Sequence, residues 1–292
     1  MVRFLEQLIN GLSIGSVYAL IALGYTMVYG IAKMINFAHG DIIMIGAYIL
    51  YVCKYTLALP ALISVLITMV FCALLGITIE RVAYKPLRKA PSLAVLITAI
   101  GVSFLLQALA LLIFGANPIT FPSIIKANPL KIGRITISGV TLITFLVTII
   151  CMLSLTYFVN HTKSGRAMRA ASEDKAAAEL MGINVNRTIS MTFAIGSVLA
   201  AIAGFLYISQ YQSLQPTLGA LPGIKAFVAA VLGGIGNIPG AMLGGILLGV
   251  IESLSKAYIS TQLSDAIVFG ILVLVLLVKP SGLLGKNSIE KV

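Results

Sequence analysis

Nine runs of apolar residues with few charges make up most of this chain of 292 residues. Runs of this length suit helices that cross a hydrocarbon layer of roughly 30 Å. A helix satisfies its own backbone hydrogen bonds inside such a layer, so the sequence predicts an all-α fold, a polytopic membrane helical bundle that forms a single transmembrane domain over residues 1–292. The predicted spans are 7–31, 34–53, 55–79, 92–114, 135–159, 189–210, 221–236, 240–258 and 262–279.

The composition of the chain excludes most water-soluble classes. Hydrophobic residues make up 59% of the chain and charged residues only 10%, whereas ordinary soluble domains carry about 25% charged residues. The net charge of +11 has two explanations: nucleic-acid binding, or basic residues that fix the orientation of membrane spans. The basic residues flank apolar spans, and no basic face with interleaved aromatic residues is evident. We therefore expect the chain to lie in a lipid bilayer and to bind no nucleic acid.

Glycines mark places where helices can approach closely. The turn at 233–240 joins two short spans, which we favour as two crossings over the alternative of broken half-helices buried in the bundle. Elsewhere glycines recur four residues apart, as at Gly11 and Gly15 or Gly245 and Gly249. This spacing favours tight helix packing, or helices that slide during transport, and it does not separate the two.

The distribution of Lys and Arg predicts the orientation. If the polar segment at 162–188 is cytoplasmic, strict alternation puts 13 of the 20 Lys and Arg residues on the cytoplasmic side. Cytoplasmic loops retain such an excess, so the N-terminus is predicted outside and the C-terminus inside. Lys225 and Lys256 fall to the outer side, where long side chains can reach water from the edge of a span.

Signatures of an enzyme were sought and not found. The sequence has no phosphate-binding loop, no HExxH pair and no GxSxG elbow. Cys53, Cys72 and Cys151 are odd in number and far apart, which suggests neither a disulfide framework nor a metal site. His39 and His161 are not presumed to be a metal pair. We predict that the chain is not an enzyme and has no cofactor of its own, so that any ATP is used by another chain.

Polar residues inside the predicted spans are candidates for function, because an unpaired ion at the bilayer centre costs several kcal/mol. Asn36, His39 and Asp41 lie near the start of the second span. Asp41 could cap that helix and meet its positive dipole end, or it could line a path. Glu252 lies about twelve residues into its span, so it needs a partner or a water-filled cavity. We predict that these four residues contribute to a translocation path or gate.

A dense polar segment, residues 162–188, interrupts the apolar pattern and must lie in water. It holds 8 of the 29 charged residues. Its centre is alanine-rich and ends at Gly182, which predicts one helix or two short helices. Ala170, Ala177 and Met181 could form a small-residue face that enters a groove of a partner, although a helix lying on the membrane surface fits equally well. The charged residues bordering this face are Arg166, Arg169, Glu173 and Glu179.

Three ordered motifs carry a resemblance to a known family. They are NGLSIGSVYALIALGYTMVYG with INFAHGD at 10–30 and 35–41, GRAMRAASEDKAAAELMGINV at 165–185, and IPGA with LGG at 238–241 and 243–245. Over nearly its whole length the chain resembles the LivH-type permease subunits of branched-chain amino acid ABC transporters. The second motif is similar to the family's coupling loop.

The resemblance implies a bacterial importer in the cytoplasmic (inner) membrane. Its partners would be a second, LivM-like permease subunit, two cytoplasmic ABC ATPase subunits and an extracytoplasmic substrate-binding protein. Related permeases carry urea or short amides, so an importer of these solutes is the alternative to one for branched-chain amino acids. The family often has proline near Lys175, which this chain lacks, so a straighter helix is possible here. The residues implied to couple to the ATPase are Gly165, Arg166, Arg169, Ala170, Glu173, Asp174, Ala177, Leu180 and Gly182.

Two rival classes were weighed. A secondary transporter or channel working alone predicts ion-coupling carboxylates at the midplane and paired inverted repeats, and no repeat is evident in the sequence. A membrane-embedded enzyme requires a catalytic constellation, which the sequence does not show. Both are therefore less favoured than the importer subunit.

Overall fold

The computed structural model describes residues 2–88, 90–125, 127–132 and 135–285. π-helical turns at Val52–Thr56 and Glu80–Tyr84 extend two of the helices, and a 3-10 turn follows at Lys85–Leu87. The strands β1 (Ile119–Thr120), β2 (Leu130–Ile132), β3 (Ile135–Ile137) and β4 (Ser213–Leu214) form two small antiparallel pairs, β1 with β4 and β2 with β3. The helices are α1 (Val2–Ala32), α2 (His39–Tyr51), α3 (Ala61–Ile79), α4 (Ser92–Phe114), α5 (Gly139–His161), α6 (Lys163–Glu173), α7 (Lys175–Leu180), α8 (Val185–Tyr211), α9 (Ala220–Gly233), α10 (Ile238–Tyr258) and α11 (Ser264–Val278).

Each of the nine predicted spans contains a helix. Six helical stretches of the described chain are long and apolar enough to cross a membrane. α9 and α11 are apolar but have only 14 and 15 residues, about 21–23 Å at 1.5 Å per residue. α2 has 13 residues before its π-helical turn. The chain is therefore a multi-pass membrane protein that is mainly helical, and the count of nine crossings stays a prediction.

Three predicted span starts are wrong because non-helical backbone lies there. The second span was predicted from residue 34, but α2 begins at His39. Lys33 adopts a left-handed conformation with φ 58°, which ends α1, and the segment 34–38 runs without helix. The third span was predicted from residue 55, but residues 57–60 are not helical and α3 begins at Ala61. The fifth span was predicted from residue 135, but β3 occupies its start and α5 begins at Gly139.

α1 and α10 pack antiparallel through glycines, with their backbones in close contact. A Cβ atom on Gly11 would lie 2.7 Å from the Cα of Val250, and one on Gly15 would lie 2.8 Å from the Cα of Ile246. Such distances leave no room for a side chain, so the tight-packing interpretation of the glycine spacing is confirmed at these two positions.

Two parts of the fold have the same order of elements but opposite orientations. α1 is followed by a buried non-helical segment and by α2, and α8 is followed by the partly buried segment 213–219 and by α9. α1 packs antiparallel to α10, and α8 packs antiparallel to α3, since Gly76 adjoins Ser197 and Glu80 bonds to Ser190. The fold thus contains an inverted repeat that was not evident in the sequence.

The starts of α2 and α9 meet inside the bundle. The backbones of Gly40 and Gly219 are in direct contact, because a Cβ atom on either glycine would overlap the carbonyl oxygen of the other. Gly223, one turn into α9, also packs against Gly40. α9 therefore begins inside the bundle, and its complete crossing of the membrane stays a prediction.

Segments predicted to share one side of the membrane meet on one face, which we call the island face. Lys175 donates to the carbonyl oxygen of Ala32, Arg88 donates to Asn186, and residues 283–284 bond to the end of α9 and to the turn that follows it. On the opposite face, the strand pair β1–β4 lies near the end of α2. The basic residues Lys89, Lys286 and Lys291, which were assigned to the inner side, lie outside the described residues.

Candidate coupling element and translocation site

The polar segment forms two short helices separated at Asp174, not one straight rod. Thr162 caps α6, its Oγ1 accepting a hydrogen bond from Gly165 N at 3.0 Å. Asp174 caps α7, its Oδ1 accepting hydrogen bonds from Ala176 N at 2.8 Å and Ala177 N at 3.1 Å. The straighter helix considered for this chain is wrong. Proline near Lys175 in the family fits this geometry, because Lys175 occupies the first position of α7, where proline is well tolerated.

The predicted coupling residues divide into exposed and packed groups. Gly165 is buried, and a Cβ atom there would overlap the carbonyl oxygens of Phe158 and Val159 at the end of α5. Its role is to let the chain turn tightly between α5 and α6, not to contact a partner. Ala170 is half-buried. The exposed members are Arg166, Arg169, Glu173, Asp174, Ala177, Leu180 and Gly182.

Because α6 and α7 are separate helices, Ala170, Ala177 and Met181 do not share one helix face as predicted. The tip of α7 instead presents two large apolar side chains, Leu180 at 89% exposure and Met181 at 82%. Gly182 follows with φ +81° and turns the chain back toward α8. The tip of α7 therefore presents an exposed apolar surface within a charged segment.

Three cations line a cavity of about 320 Å³ beside the end of α1. They are Lys33, Arg88 and Lys175, and the rest of the lining is largely apolar. Lys175 donates a hydrogen bond to the carbonyl oxygen of Ala32 at 3.0 Å, which ties α7 to α1. Partial burial, together with the nearby charges of Arg88 and Lys33, lowers the pKa of Lys175. α7 is therefore held against the bundle by a contact that the sequence did not indicate.

Asn36 and His39 are packed between helices and hold the start of α2 in place. Asn36 is 2% exposed, and its Oδ1 accepts a hydrogen bond from the Tyr84 hydroxyl at 2.9 Å. The His39 ring lies against Gly24 on α1, where a Cβ atom would overlap it, and its centroid is 4.7 Å from that of Tyr25. These contacts give both residues a positioning role at the start of α2.

Asp41 faces α4 and lines a cavity, and it is not the cap of α2. The first turn of α2 has no side-chain capping bond. Asp41 is 2% exposed, and its Oδ1 accepts a hydrogen bond from Gln107 Nε2 at 2.9 Å. The cavity of about 250 Å³ lies where α2, α4 and the start of α9 meet. Of the four predicted path residues, Asp41 is the one that the geometry places on this cavity.

Glu252 finds a partner, as its depth in the span required, in a buried ion-pair network. It is 1% exposed and accepts hydrogen bonds from Lys225 at 2.8 Å, Lys256 at 2.5 Å and Tyr18 at 2.9 Å. Lys225 also pairs with Asp265 at 2.7 Å. The outer-edge prediction for Lys225 is wrong, because it is 5% exposed and lies between these two carboxylates.

Sequence reasoning missed the partners of these residues. Gln107 on α4 and Tyr84 after α3 are polar residues in or beside apolar helices, and that polarity was the available signal. Glu80 was also missed. It is fully buried, pairs with Arg88 and accepts a hydrogen bond from Ser190 at 2.5 Å.

Comparison with known proteins identifies the family. The family profile described as branched-chain amino acid transport system / permease component matches residues 7–276. The chain belongs to this family. As a transport permease component, it is not an enzyme.

Relatives in this permease family match over nearly their whole length. The high-affinity branched-chain amino acid transport system permease protein BraD of Pseudomonas aeruginosa is 46% identical, covering 99% of this chain and 98% of that protein. The LivH proteins of Salmonella typhimurium and Escherichia coli, of the same description, are 44% identical with the same coverage. A solved structure, PsaBC from Streptococcus pneumoniae in complex with Fab, aligns with a TM-score of 0.44 at 16% identity over 96% of this chain and 91% of that one, which is too weak to support an argument. An inverted repeat also occurs in secondary transporters, so it is the family match that separates the permease from that rival.

Proposed function

We propose that this chain is a single-domain permease subunit of an ABC importer that carries the branched-chain amino acids Leu, Ile and Val across the bacterial cytoplasmic membrane. The full-length similarity to BraD and LivH supports the substrate class. The permease binds no cofactor, and ATP is used by two separate cytoplasmic ATPase subunits. Its other partners are a second, LivM-like permease and an extracytoplasmic substrate-binding protein.

The observation that carries the coupling role is the exposed apolar tip of α7. Leu180 and Met181 project from a charged, water-facing segment, a position that is unfavourable unless a partner covers them. The same segment carries exposed charges that can orient the partner, at Arg166, Arg169, Glu173 and Asp174. We assign α6 and α7 to a groove of the ATPase, and the island face to the cytoplasm.

The fold suggests how movement of α7 reaches the membrane helices. α6 continues directly from α5 through the packed corner at Gly165, and α7 is tied to the end of α1 through Lys175. When ATP closes the ATPase dimer, the two α6–α7 elements of the permease pair move together. The bundle then tilts between its inward-open and outward-open forms, because ATP binds the closed dimer more tightly.

Reconstituted transport tests this assignment. The complete importer in proteoliposomes should take up labelled leucine when ATP and the binding protein are supplied. Leu180→Ser combined with Met181→Ser should reduce uptake by roughly tenfold or more and weaken co-purification of the ATPase, because both apolar contacts are lost. The permease's own melting temperature should not change.

Val278→Ser, which alters an equally exposed aliphatic side chain at the end of α11, serves as the matched control and should leave uptake intact. Uptake of urea instead of leucine would overturn the substrate assignment. Full leucine uptake by the double variant would overturn the coupling assignment.

A further inference from the structure

Asp41 differs from the other buried acids of the described chain. Glu80 pairs with Arg88, and Glu252 pairs with Lys225. Asp41 is equally buried, yet no Lys, Arg or His nitrogen in the described residues lies within 4.0 Å of its carboxylate. Its protein partner at 2.9 Å is Gln107, whose amide donates a hydrogen bond without neutralising a charge.

A carboxylate in this position has an unmet requirement. Removing an ion from water costs several kcal/mol unless another charge compensates it. The start of α2 supplies a partial positive charge of at most about half a unit. The remaining charge of Asp41 calls for a cation from outside the described chain, or for a proton that makes the group neutral.

The cavity beside Asp41 has the shape and chemistry of a site for a small amphipathic cation. At about 250 Å³ it exceeds by several fold the roughly 30 Å³ share of one water molecule. Its polar side chains are those of Tyr25, Asp41, Ser103 and Gln107. The apolar wall consists of Phe37, Ile100, Phe104 and Ile224.

We propose that Asp41 binds the ammonium group of the transported amino acid in this cavity, while the branched side chain lies against Ile100 and Phe104. The inference rests on the proposed function and adds to it a specific recognition contact within the membrane. Gly219, the N-cap of α9, and Ala220, its first residue, line the same cavity. The positive end of that helix suits the carboxylate of the same zwitterion.

This arrangement gives a selectivity that a structural carboxyl group would not give. A leucine molecule supplies the missing positive charge, whereas its deaminated analogue, 4-methyl-2-oxopentanoate, has the same aliphatic group and carboxylate but no ammonium. If Asp41 is merely a protonated hydrogen-bonding group that holds α2 against α4, the cavity has no reason to prefer leucine.

Protection from cysteine labelling tests the site without relying on the binding protein's own selectivity. Ile100→Cys places a thiol on the apolar wall, and its reaction with N-ethylmaleimide in the assembled importer is followed by mass spectrometry of the peptide containing position 100. Millimolar leucine should slow labelling at least about threefold, and the oxo acid should not. Adding Asp41→Asn should abolish protection by leucine and leave the labelling rate without ligand unchanged, whereas Asp41→Glu should retain protection.

The outcomes are separable from those of the proposed function, because leucine uptake by the wild-type importer is measured in parallel. If uptake occurs but leucine does not protect position 100, the ammonium site is refuted while the importer assignment stands. Equal protection by the oxo acid, or protection that persists in Asp41→Asn, also refutes it. The comparison of the two ligands with Asp41 intact remains decisive if the Asn variant does not assemble.

Discussion

The ammonium of Lys225 lies 2.8 Å from a carboxylate oxygen of Glu252, and both side chains are almost completely buried. This pair joins the short helix α9 to α10. Tyr18 of α1 donates to the same carboxylate, and Asp265 of α11 pairs with the same lysine. Glu252, which was predicted to contribute to a path or gate, is thus the centre of an ion-pair network that joins four helices.

Breaking this ion-pair network should destabilise the permease strongly. Glu252→Gln removes the buried negative charge and leaves Lys225 with only the partly exposed Asp265, a type of change that typically costs 3–5 kcal/mol. We expect a clear drop in the thermal unfolding midpoint in detergent. Lys225→Met combined with Glu252→Leu should recover much of it, since the remaining charged partners, Lys256 and Asp265, are 37% and 43% exposed and can be solvated.

Asp265→Asn is the control, because its side chain reaches water and Glu252 remains to pair with Lys225. Its effect should stay below about 1 kcal/mol. A midpoint for Glu252→Gln that equals the wild-type value would show that the pair does not hold α9.

The contact between Gly40 and Gly219 predicts that neither position accepts a side chain. Gly40→Ala and Gly219→Ala each force a methyl group into the other residue's backbone, which cannot rotate away as a side chain could. We expect loss of assembly or a lowered melting temperature. Gly101→Ala on α4 is the matched control, because nothing lies within 4 Å of a Cβ atom there and alanine is favoured over glycine in a helix by about 1 kcal/mol.

Fluorescence-detected size-exclusion chromatography across a temperature series measures all three glycine variants together. Comparable melting of Gly40→Ala and Gly101→Ala would contradict the close approach of α2 and α9.

The sequence was sufficient for the long helices and insufficient for the short ones. The apolar runs 92–114, which has no charged residue, and 240–258, which has two, located α4 and α10 to within two residues, because length and hydropathy dominate helices that contact lipid. Residues 34–38 are mostly apolar but are not helical, and hydropathy does not distinguish buried non-helical backbone from a buried helix. The start of α2 could therefore not be predicted.

The polar partners were beyond the sequence for a different reason. Lys225 and Glu252 are 27 residues apart, and Asp41 and Gln107 are 66 apart. Such pairs follow from the packing of separate helices, which a single sequence does not specify. The break between α6 and α7 did leave a signal, because Asp174 is a favoured N-cap residue placed before an alanine-rich stretch.

The lowered pKa of Lys175 predicts an unusual reactivity on the island face. A lysine whose pKa lies below its ordinary value of 10.5 has a larger neutral, nucleophilic fraction at pH 9. Acylation of Lys175 followed by mass spectrometry across pH should therefore have its midpoint below 10.5. Lys33→Asn removes one of the nearby cations and suits the left-handed backbone at that position, so it should raise the midpoint.

The lowered pKa of Lys175 also predicts how the folding stability changes with pH. Between the lowered native pKa and the unfolded value, the unfolded state binds more protons, so the cost of burying charged Lys175 is relieved as pH rises through that window. Lys175→Met should reduce this increase of stability with pH. A midpoint at or above 10.5, or one that Lys33→Asn leaves unchanged, would argue against the clustered cations.

The cap of α7 predicts local unfolding without global loss of stability. Asp174→Ala removes both hydrogen bonds from Asp174 Oδ1 to the first turn of α7, at a cost of about 1 kcal/mol that falls on a helix of only six residues. Hydrogen exchange over 175–181 should accelerate several-fold, while exchange in α8 and the thermal midpoint stay the same. Leucine uptake should fall in proportion, because Leu180 and Met181 would no longer be held in position for the ATPase.

The control is Glu173→Ala, which removes a neighbouring exposed carboxylate that caps no helix and should leave exchange in α7 unchanged. Equal exchange rates in the two variants would mean that contacts other than the Asp174 cap, such as the bond from Lys175 to Ala32, keep α7 folded.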